Sequence, residues 1–145
     1  MTAAADRPNV LITSAARKVL LVRAFHDALA RLGGGGSVIA ADLNPQSAAL
    51  YAADAARLLP RSDDPSFVDT LLALCAEERV GLVVPTRDEE LPLFAGVRDR
   101  FAAAGTVVLV SAPAAIDGVL SCLIRIFFAD CLPVYLEILE HHLLD

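Results

Sequence analysis

The densest run of polar side chains is the segment Thr86–Glu90, which directly follows the apolar run Val80–Pro85. It offers a ligand a hydroxyl, a guanidinium and three carboxylates, and the candidate binding residues are Thr86, Asp88, Glu89 and Glu90. Carboxylates near a helix N-terminus are also favoured by the helix dipole, so helix capping accounts for some of them. The segment supports two interpretations, the wall of a substrate pocket or the start of a helix, and we assign no catalytic residue to it.

A second polar segment, Ser14–Lys18, follows the apolar run Asn9–Thr13. A phosphate-binding turn needs backbone N–H groups at a helix N-terminus that an anion can approach. Small, hydroxyl and cationic side chains suit such a contact, and the candidate residues are Ser14, Ala15, Arg17 and Lys18. The segment contains no glycine and does not match the GxGxxG fingerprint. Two interpretations stay open: contact with an anion or nucleotide fragment, or an ordinary strand-to-helix turn with a serine cap.

A third candidate is Asp42, which follows the apolar run Ser37–Ala41. Dinucleotide-binding enzymes keep an acid at the end of their second strand, where it binds ribose hydroxyls. An Asp before Asn44 and Pro45 also favours a simple turn. The sequence does not decide between ligand binding and turn formation.

The elements that position these segments alternate between strand and helix. We predict strands at Asn9–Thr13, Ser37–Ala41, Arg57–Pro60, Val80–Pro85 and Thr106–Val110. We predict helices over about 17–32, 46–53, 66–78 and 88–104. Residues 62–65 open the third of these helices, with Pro65 in its first turn, and we expect the strand Arg57–Pro60 near an edge of the sheet. This order predicts an α/β fold, a Rossmann-like, doubly wound, mainly parallel five-stranded sheet with helices on both faces. All three polar segments then lie at the carboxyl edge of the sheet, where such folds bind ligands.

Composition excludes several classes of protein. A chain of 145 residues with net charge −6 is one domain in size and has no basic stripe, so we expect no nucleic-acid partner. Cys75, Cys122 and Cys131 are an odd number without metal-binding spacing, and no secretory signal is evident. We therefore expect free thiols, a cytoplasmic setting and no metal site, with Cys75 buried on the apolar side of its helix.

The C-terminal part of the chain departs from this pattern. We divide the sequence into a disordered terminus (1–8), the Rossmann-like domain (9–116) and an apolar helical tail (117–145). Residues 119–139 are apolar on every side, but Arg125, Asp130 and Pro133 interrupt them, so we predict no membrane span. Such a helix needs burial. We expect self-association or a missing domain at 119–139, and a soluble monomer when Phe127 and Phe128 are made polar.

Four segments in this order and spacing resemble the N-terminal region of ATP-grasp ligases, closest to the carbamoyl-phosphate-synthase-like, single-chain ATP-grasp proteins. They are Asn9–Lys18, Val38–Pro45, Pro85–Leu91 and Val108–Pro113. The resemblance covers about residues 9–116 and implies a pre-ATP-grasp domain, which packs against the ATP-grasp module. It also implies that Ser14–Lys18 and Thr86–Glu90 belong to the substrate side of the cleft, with Asp42 beside them.

In this family a carboxylate and ATP form an acyl-phosphate, which an amine or thiol then attacks. ATP and Mg²⁺ are implied for the full-length family, on later domains, and we expect no cofactor in this chain. The family's Asp-Lys pair is absent after the Ser-Ala-Pro turn, and Cys131 replaces the glycine of the family's next turn. We therefore expect a truncated, accessory domain that is inactive alone, and whether the chain is an enzyme is left open.

Two other functions remain compatible with the residues. One is a stand-alone Rossmann-type module that binds a nucleotide or small molecule, with Ser14–Lys18 as its phosphate loop. The other is a non-enzymatic oligomerisation or partner-docking protein that uses the apolar tail. Protection of the fold by NAD or a nucleotide would favour the first of these.

Overall fold

The computed structural model describes residues 8–33 and 35–111. The strands are β1 (Asn9–Ile12), β2 (Val38–Asp42), β3 (Ala55–Leu58), β4 (Val80–Val84) and β5 (Val107–Val108). The α-helices are α1 (Val19–Arg31), α2 (Ala48–Ala52), α3 (Phe67–Glu77) and α4 (Leu91–Ala103), and a single 3-10 turn at Asp88–Glu90 precedes α4. The predicted terminus (apart from Pro8), the apolar tail and any helix after Ser111 lie outside the described residues.

The five strands form one sheet in the order β3-β2-β1-β4-β5, and every pair of neighbours is parallel. In the central register Leu11 pairs with Ile39 on one side and with Val83 on the other. The chain runs from β1 outward to β3, then returns to place β4 on the opposite side of β1. The carboxyl ends of β1 and β4 are therefore the topological switch point, the usual ligand position in doubly wound sheets. The predicted Rossmann-like fold is confirmed.

Burial explains why β2 and β4 are apolar, apart from Asp42 at the end of β2. All residues of β2 and β4 are buried, as expected for strands that helices cover on both faces. On the side of α3 and α4, Phe67, Phe94 and Phe101 form a row with ring centroids 6.1 and 6.2 Å apart. This closely packed apolar layer fixes the positions of the strands and helices from which the loops at the carboxyl edge extend.

Several element boundaries differ from those predicted. The segment 88–104 is not one helix, because its first turn is 3-10 and the α-helix begins at Leu91 with Pro92 in its first turn. Pro65 precedes α3 instead of lying within its first turn, and Asp64 there accepts a hydrogen bond from the Ser66 N–H. The third strand lies two residues earlier than predicted and occupies the edge, as expected. Within the described residues, we find no helix with the length and apolar character to cross a membrane.

Candidate functional site

The loops after β1 and β4 are joined across the switch point by a buried carboxylate. Glu90 is only 2% exposed, and its Oε1 accepts a 2.5 Å hydrogen bond from the Ser14 hydroxyl. Its Oε2 lies 3.4 Å from the Thr13 hydroxyl, which is fully buried. A buried carboxylate requires such donors, because burial without them is costly. Glu90 thus fixes the position of the loop after β1 (residues 13–18, the first loop).

Thr86 strengthens the same connection from the β4 side. Its hydroxyl oxygen lies 2.8 Å from the carbonyl oxygens of both Thr13 and Ser14, so one proton is shared between two acceptors. The Thr86 hydroxyl therefore stabilises the first loop, and its proton is not available to a ligand.

Asp42 holds the first loop from the side of β2. Its Oδ2 accepts a 2.7 Å hydrogen bond from the Ala16 N–H, and its Oδ1 accepts a 2.9 Å bond from the Asn44 N–H. Burial acts to raise the pKa of Asp42, but hydrogen bonds from the N–H groups of Asn44 and Ala16 and from Ser47 outweigh it, and the pKa is lowered. These contacts favour turn formation and loop positioning for this residue.

The backbone of the first loop is strained and its N–H groups are largely engaged. Ser14 and Ala16 have φ of +49° and +44°, in the left-handed region that costs non-glycine residues about 1–2 kcal/mol. The N–H of Thr13 donates to the Val84 carbonyl and that of Ala15 to the Ala41 carbonyl, each at 3.1 Å. With the Ala16 N–H on Asp42, these three N–H groups are not available to a phosphate.

The expectation that Ser14 caps a helix is wrong. The first α-helical residue is Val19, and within the described chain the N-cap position, Lys18, makes no side-chain capping bond. The hydroxyl of Ser14 is used on Glu90 instead. The serine is there because the loop needs a donor for a buried carboxylate, which the local sequence alone does not reveal.

A cleft of about 350 Å³ opens beside this connection. Its charged lining residues are Asp42, Arg61, Asp63, Arg87, Glu89 and Glu90. The deep part is acidic, since Asp42 and Glu90 are buried, whereas the residues with exposed side chains lie toward solvent. A volume of this size suits a small-molecule ligand.

Two arginine–carboxylate pairs stand at the exposed part of the cleft. Arg61 donates from Nε and Nη2 to the two carboxylate oxygens of Asp63, each at 3.0 Å. Arg87 donates from Nε to Glu89 at 3.1 Å. These hydrogen bonds raise the pKa of both arginines and lower the pKa of both acids, so all four groups are charged at neutral pH.

The structure brings four of the nine candidate residues to the cleft wall, namely Ser14, Asp42, Glu89 and Glu90. The other five do not line the cleft. Ala15 is fully buried, and Thr86 supports the first loop. Arg17 and Asp88 are exposed, and the Lys18 Nζ lies 3.5 Å from the Ser14 carbonyl oxygen. Among the described residues we find no cluster of His, Cys, Asp or Glu suited to a metal ion.

Sequence reasoning overlooked Arg61 and Asp63. They belong to the loop after β3, and in a parallel sheet every loop that follows a strand lies at the carboxyl edge. This topological rule could have identified the loop after β3 as part of the site. The sequence pattern of residues 62–65 predicts only the start of a helix.

Comparison with known proteins agrees with this geometry. Residues 10–109 match the family described as "PylC-like, N-terminal domain". No curated protein sequence matches the chain significantly.

Solved structures with a similar fold include the biotin carboxylase domain of a single-chain bacterial carboxylase. It is 26% identical with a TM-score of 0.53, and the match covers 76% of this chain and 25% of that chain. Two further structures share the fold. The biotin carboxylase subunit of pyruvate carboxylase has 19% identity and a TM-score of 0.53, and the match covers 77% of this chain and 24% of that chain. A single-chain, multi-domain long-chain acyl-CoA carboxylase has 21% identity and a TM-score of 0.52, and the match covers 83% of this chain and 12% of that chain.

The chain thus spans a quarter or less of the length of these structures. The matches confirm the resemblance to the N-terminal, pre-ATP-grasp region of ATP-grasp ligases. Because the family match covers 100 of 145 residues, from 10 to 109, the chain belongs to the PylC-like N-terminal domain family.

Proposed function

We propose that this chain is the substrate-side domain of an ATP-dependent ligase, with ATP and Mg²⁺ bound by a module outside the described residues. In the complete enzyme, ATP would activate a carboxylate as an acyl-phosphate, which an amine or thiol would attack. The family match supports the ligase assignment. The cleft at the switch point supports a role in holding the substrate.

The observation that carries this proposal is the contact between Ser14 and Glu90. In a nucleotide-binding Rossmann fold, the loop after β1 presents free N–H groups to a phosphate. Here Ala15 and Ala16 have committed their N–H groups to Ala41 and Asp42. A carboxylate, Glu90, is hydrogen-bonded to the same loop, and its charge repels a phosphate. The first loop therefore suits an uncharged or cationic part of a substrate better than a nucleotide.

The test is thermal and calorimetric titration of the chain with Mg-ATP, and separately with NAD. A ligand that binds only the folded state stabilises it by RT ln(1 + [L]/Kd), about 0.4 kcal/mol when its concentration equals Kd. We expect less stabilisation than this at about 1 mM of either nucleotide. Stabilisation of about 2.7 kcal/mol or more, the effect of a hundredfold excess over Kd, would show that the chain itself binds a nucleotide and would contradict the proposal.

A further inference from the structure

Arg61 and Arg87 approach the same cleft from different loops, one after β3 and one after β4. Each is held by the acid two residues later in its own loop. The side chains concerned are 52–73% exposed, and exposed ion pairs of this kind contribute little to stability. Stability therefore does not explain why both pairs stand at one cleft.

Both guanidinium groups keep donors for a further partner. A guanidinium has five N–H donors. In the described part of the chain, Arg61 uses Nε and Nη2 on Asp63, and Arg87 uses only Nε on Glu89. Among the described residues, the Nη1 group of Arg61 and both Nη groups of Arg87 have no hydrogen-bond partner, so they can bind a ligand.

The two positive charges are also close enough to act on each other. The pKa of Arg87 is raised mainly by its hydrogen bond to Glu89, but the charge of Arg61 opposes this rise. An anion between two guanidinium groups relieves such repulsion, and a guanidinium matches the planar geometry of an oxyanion.

We propose that Arg61 and Arg87 together bind an oxyanionic group of the substrate, a carboxylate or a phosphate ester, at the exposed part of the cleft. This inference rests on the proposed function. A carboxylate with its lone pairs engaged by two guanidinium groups is a poor nucleophile, so the bound anion serves for recognition. The reacting group is another part of the same molecule. The acidic inner wall, with Asp42 and Glu90, keeps the anion at the exposed part.

The test is a ¹H–¹⁵N NMR titration of the full chain with inorganic phosphate and with succinate as separate probes, at constant ionic strength. We expect saturable shifts in the loops around Arg61 and Arg87, including their Nε–H signals, for at least one probe. Saturation by phosphate alone indicates a phosphate ester, and saturation by succinate alone indicates a carboxylate. Saturation by both indicates recognition of either oxyanion.

The variants Arg61→Gln and Arg87→Gln should each weaken binding about tenfold, as expected for loss of a hydrogen bond to a charged group. The matched control is Arg98→Gln, since Arg98 is a half-exposed arginine on α4 beside Asp99 and outside the cleft lining. It should bind like the unmodified chain. Shifts that do not saturate, or an equal loss in all three variants, would overturn the inference and leave the proposed function standing. Tight binding of Mg-ATP that persists when Arg61→Gln and Arg87→Gln are combined in one chain would overturn the proposed function and leave the inference about the two arginines standing.

Discussion

The hydroxyl of Ser14 donates a 2.5 Å hydrogen bond to the carboxylate of Glu90, which lies 76 residues later in the chain. This contact joins the two loops at the switch point of the sheet, because Ser14 follows β1 and Glu90 precedes α4. It also supports the proposed function, since it places a carboxylate where a nucleotide fold would hold a phosphate. The proposed function therefore predicts that the first loop does not bind a nucleotide phosphate.

Replacing Ser14 with Ala should destabilise the fold by about 1–3 kcal/mol. The carboxylate of Glu90 would lose its shorter hydrogen bond while remaining 2% exposed, and a buried acceptor without its donor carries the full cost of desolvation. Urea unfolding followed by circular dichroism measures the effect. The matched control is Ser66→Ala, an exposed serine whose hydroxyl contacts Asp64, for which we expect less than about 0.5 kcal/mol.

A double-mutant cycle isolates the contact from the general effect of each substitution. The cycle combines Ser14→Ala with Glu90→Gln, which removes the charge but keeps the shape. We expect a coupling free energy of at least about 0.5 kcal/mol between the two positions. Additive effects would show that the two side chains do not support each other.

Asp42 predicts a specific dependence of stability on pH. Its pKa in the folded state is lowered, so it contributes stability that is present above the unfolded pKa, near 3.9, and lost as pH falls through the lower folded value. Asp42→Asn should therefore destabilise the chain by about 1–3 kcal/mol at pH 7, and this difference should shrink below about pH 4. Urea unfolding at pH 7, 5 and 3 tests it. A difference that stays constant would exclude the ionised carboxylate as the cause.

Much of the fold follows from simple patterns, whereas the contacts of the site do not. The apolar runs that form β2 and β4 are visible in the sequence, because strands buried on both faces are apolar along most of their length, and only Asp42 at the end of β2 is polar. Glu89 and Glu90 show the limit of such reasoning. They are adjacent and chemically alike, yet one is exposed and pairs with Arg87 while the other is buried on Ser14. Only the packing of the whole sheet edge distinguishes them.

The loop after β3, which contains Arg61, shows a second limit. The short edge strand was expected at 57–60 and lies at Ala55–Leu58, so the loop that follows it is longer than the sequence indicated. Edge strands alternate between exposed and half-buried positions and give a weaker apolar signal than central ones. The predicted strand included Leu59 and Pro60, which line the cleft, and left Arg61 as the first residue after it.

Glycine substitutions in the first loop should have opposite effects at neighbouring positions. Ala16 has φ of +44°, so Ala16→Gly relieves strain of about 1–2 kcal/mol against an entropic cost of about 0.4–1 kcal/mol, and should be neutral or stabilising. Ala15 is fully buried and lies outside the positive-φ region, so Ala15→Gly should destabilise by about 1–2 kcal/mol. Thermal unfolding of the two variants provides the measurement. Equal effects would mean that the Ala16 backbone is not strained in solution.

Cys75 should make stability fall in alkaline solution. The residue is 2% exposed, which confirms the expected buried thiol, and burial in the core raises its pKa to about 12 against a smaller opposing effect of Thr106. In the unfolded chain the thiol loses its proton above about pH 8.5, whereas in the folded chain it keeps it. The unfolded state is therefore favoured as pH rises, by about 1.4 kcal/mol per pH unit and about 2 kcal/mol in total at pH 10.

The comparison that tests this is unfolding of the unmodified chain and of Cys75→Ala between pH 7.5 and 10. Effects of pH on all other groups are common to both proteins and cancel in the difference. Cys75→Ala loses apolar contacts and should be the less stable protein at pH 7.5, but the gap should narrow by about 2 kcal/mol at pH 10. A gap that stays the same over this range would mean that the thiol reaches solvent in the folded state, and that the core beneath the cleft is less closed than its packing indicates.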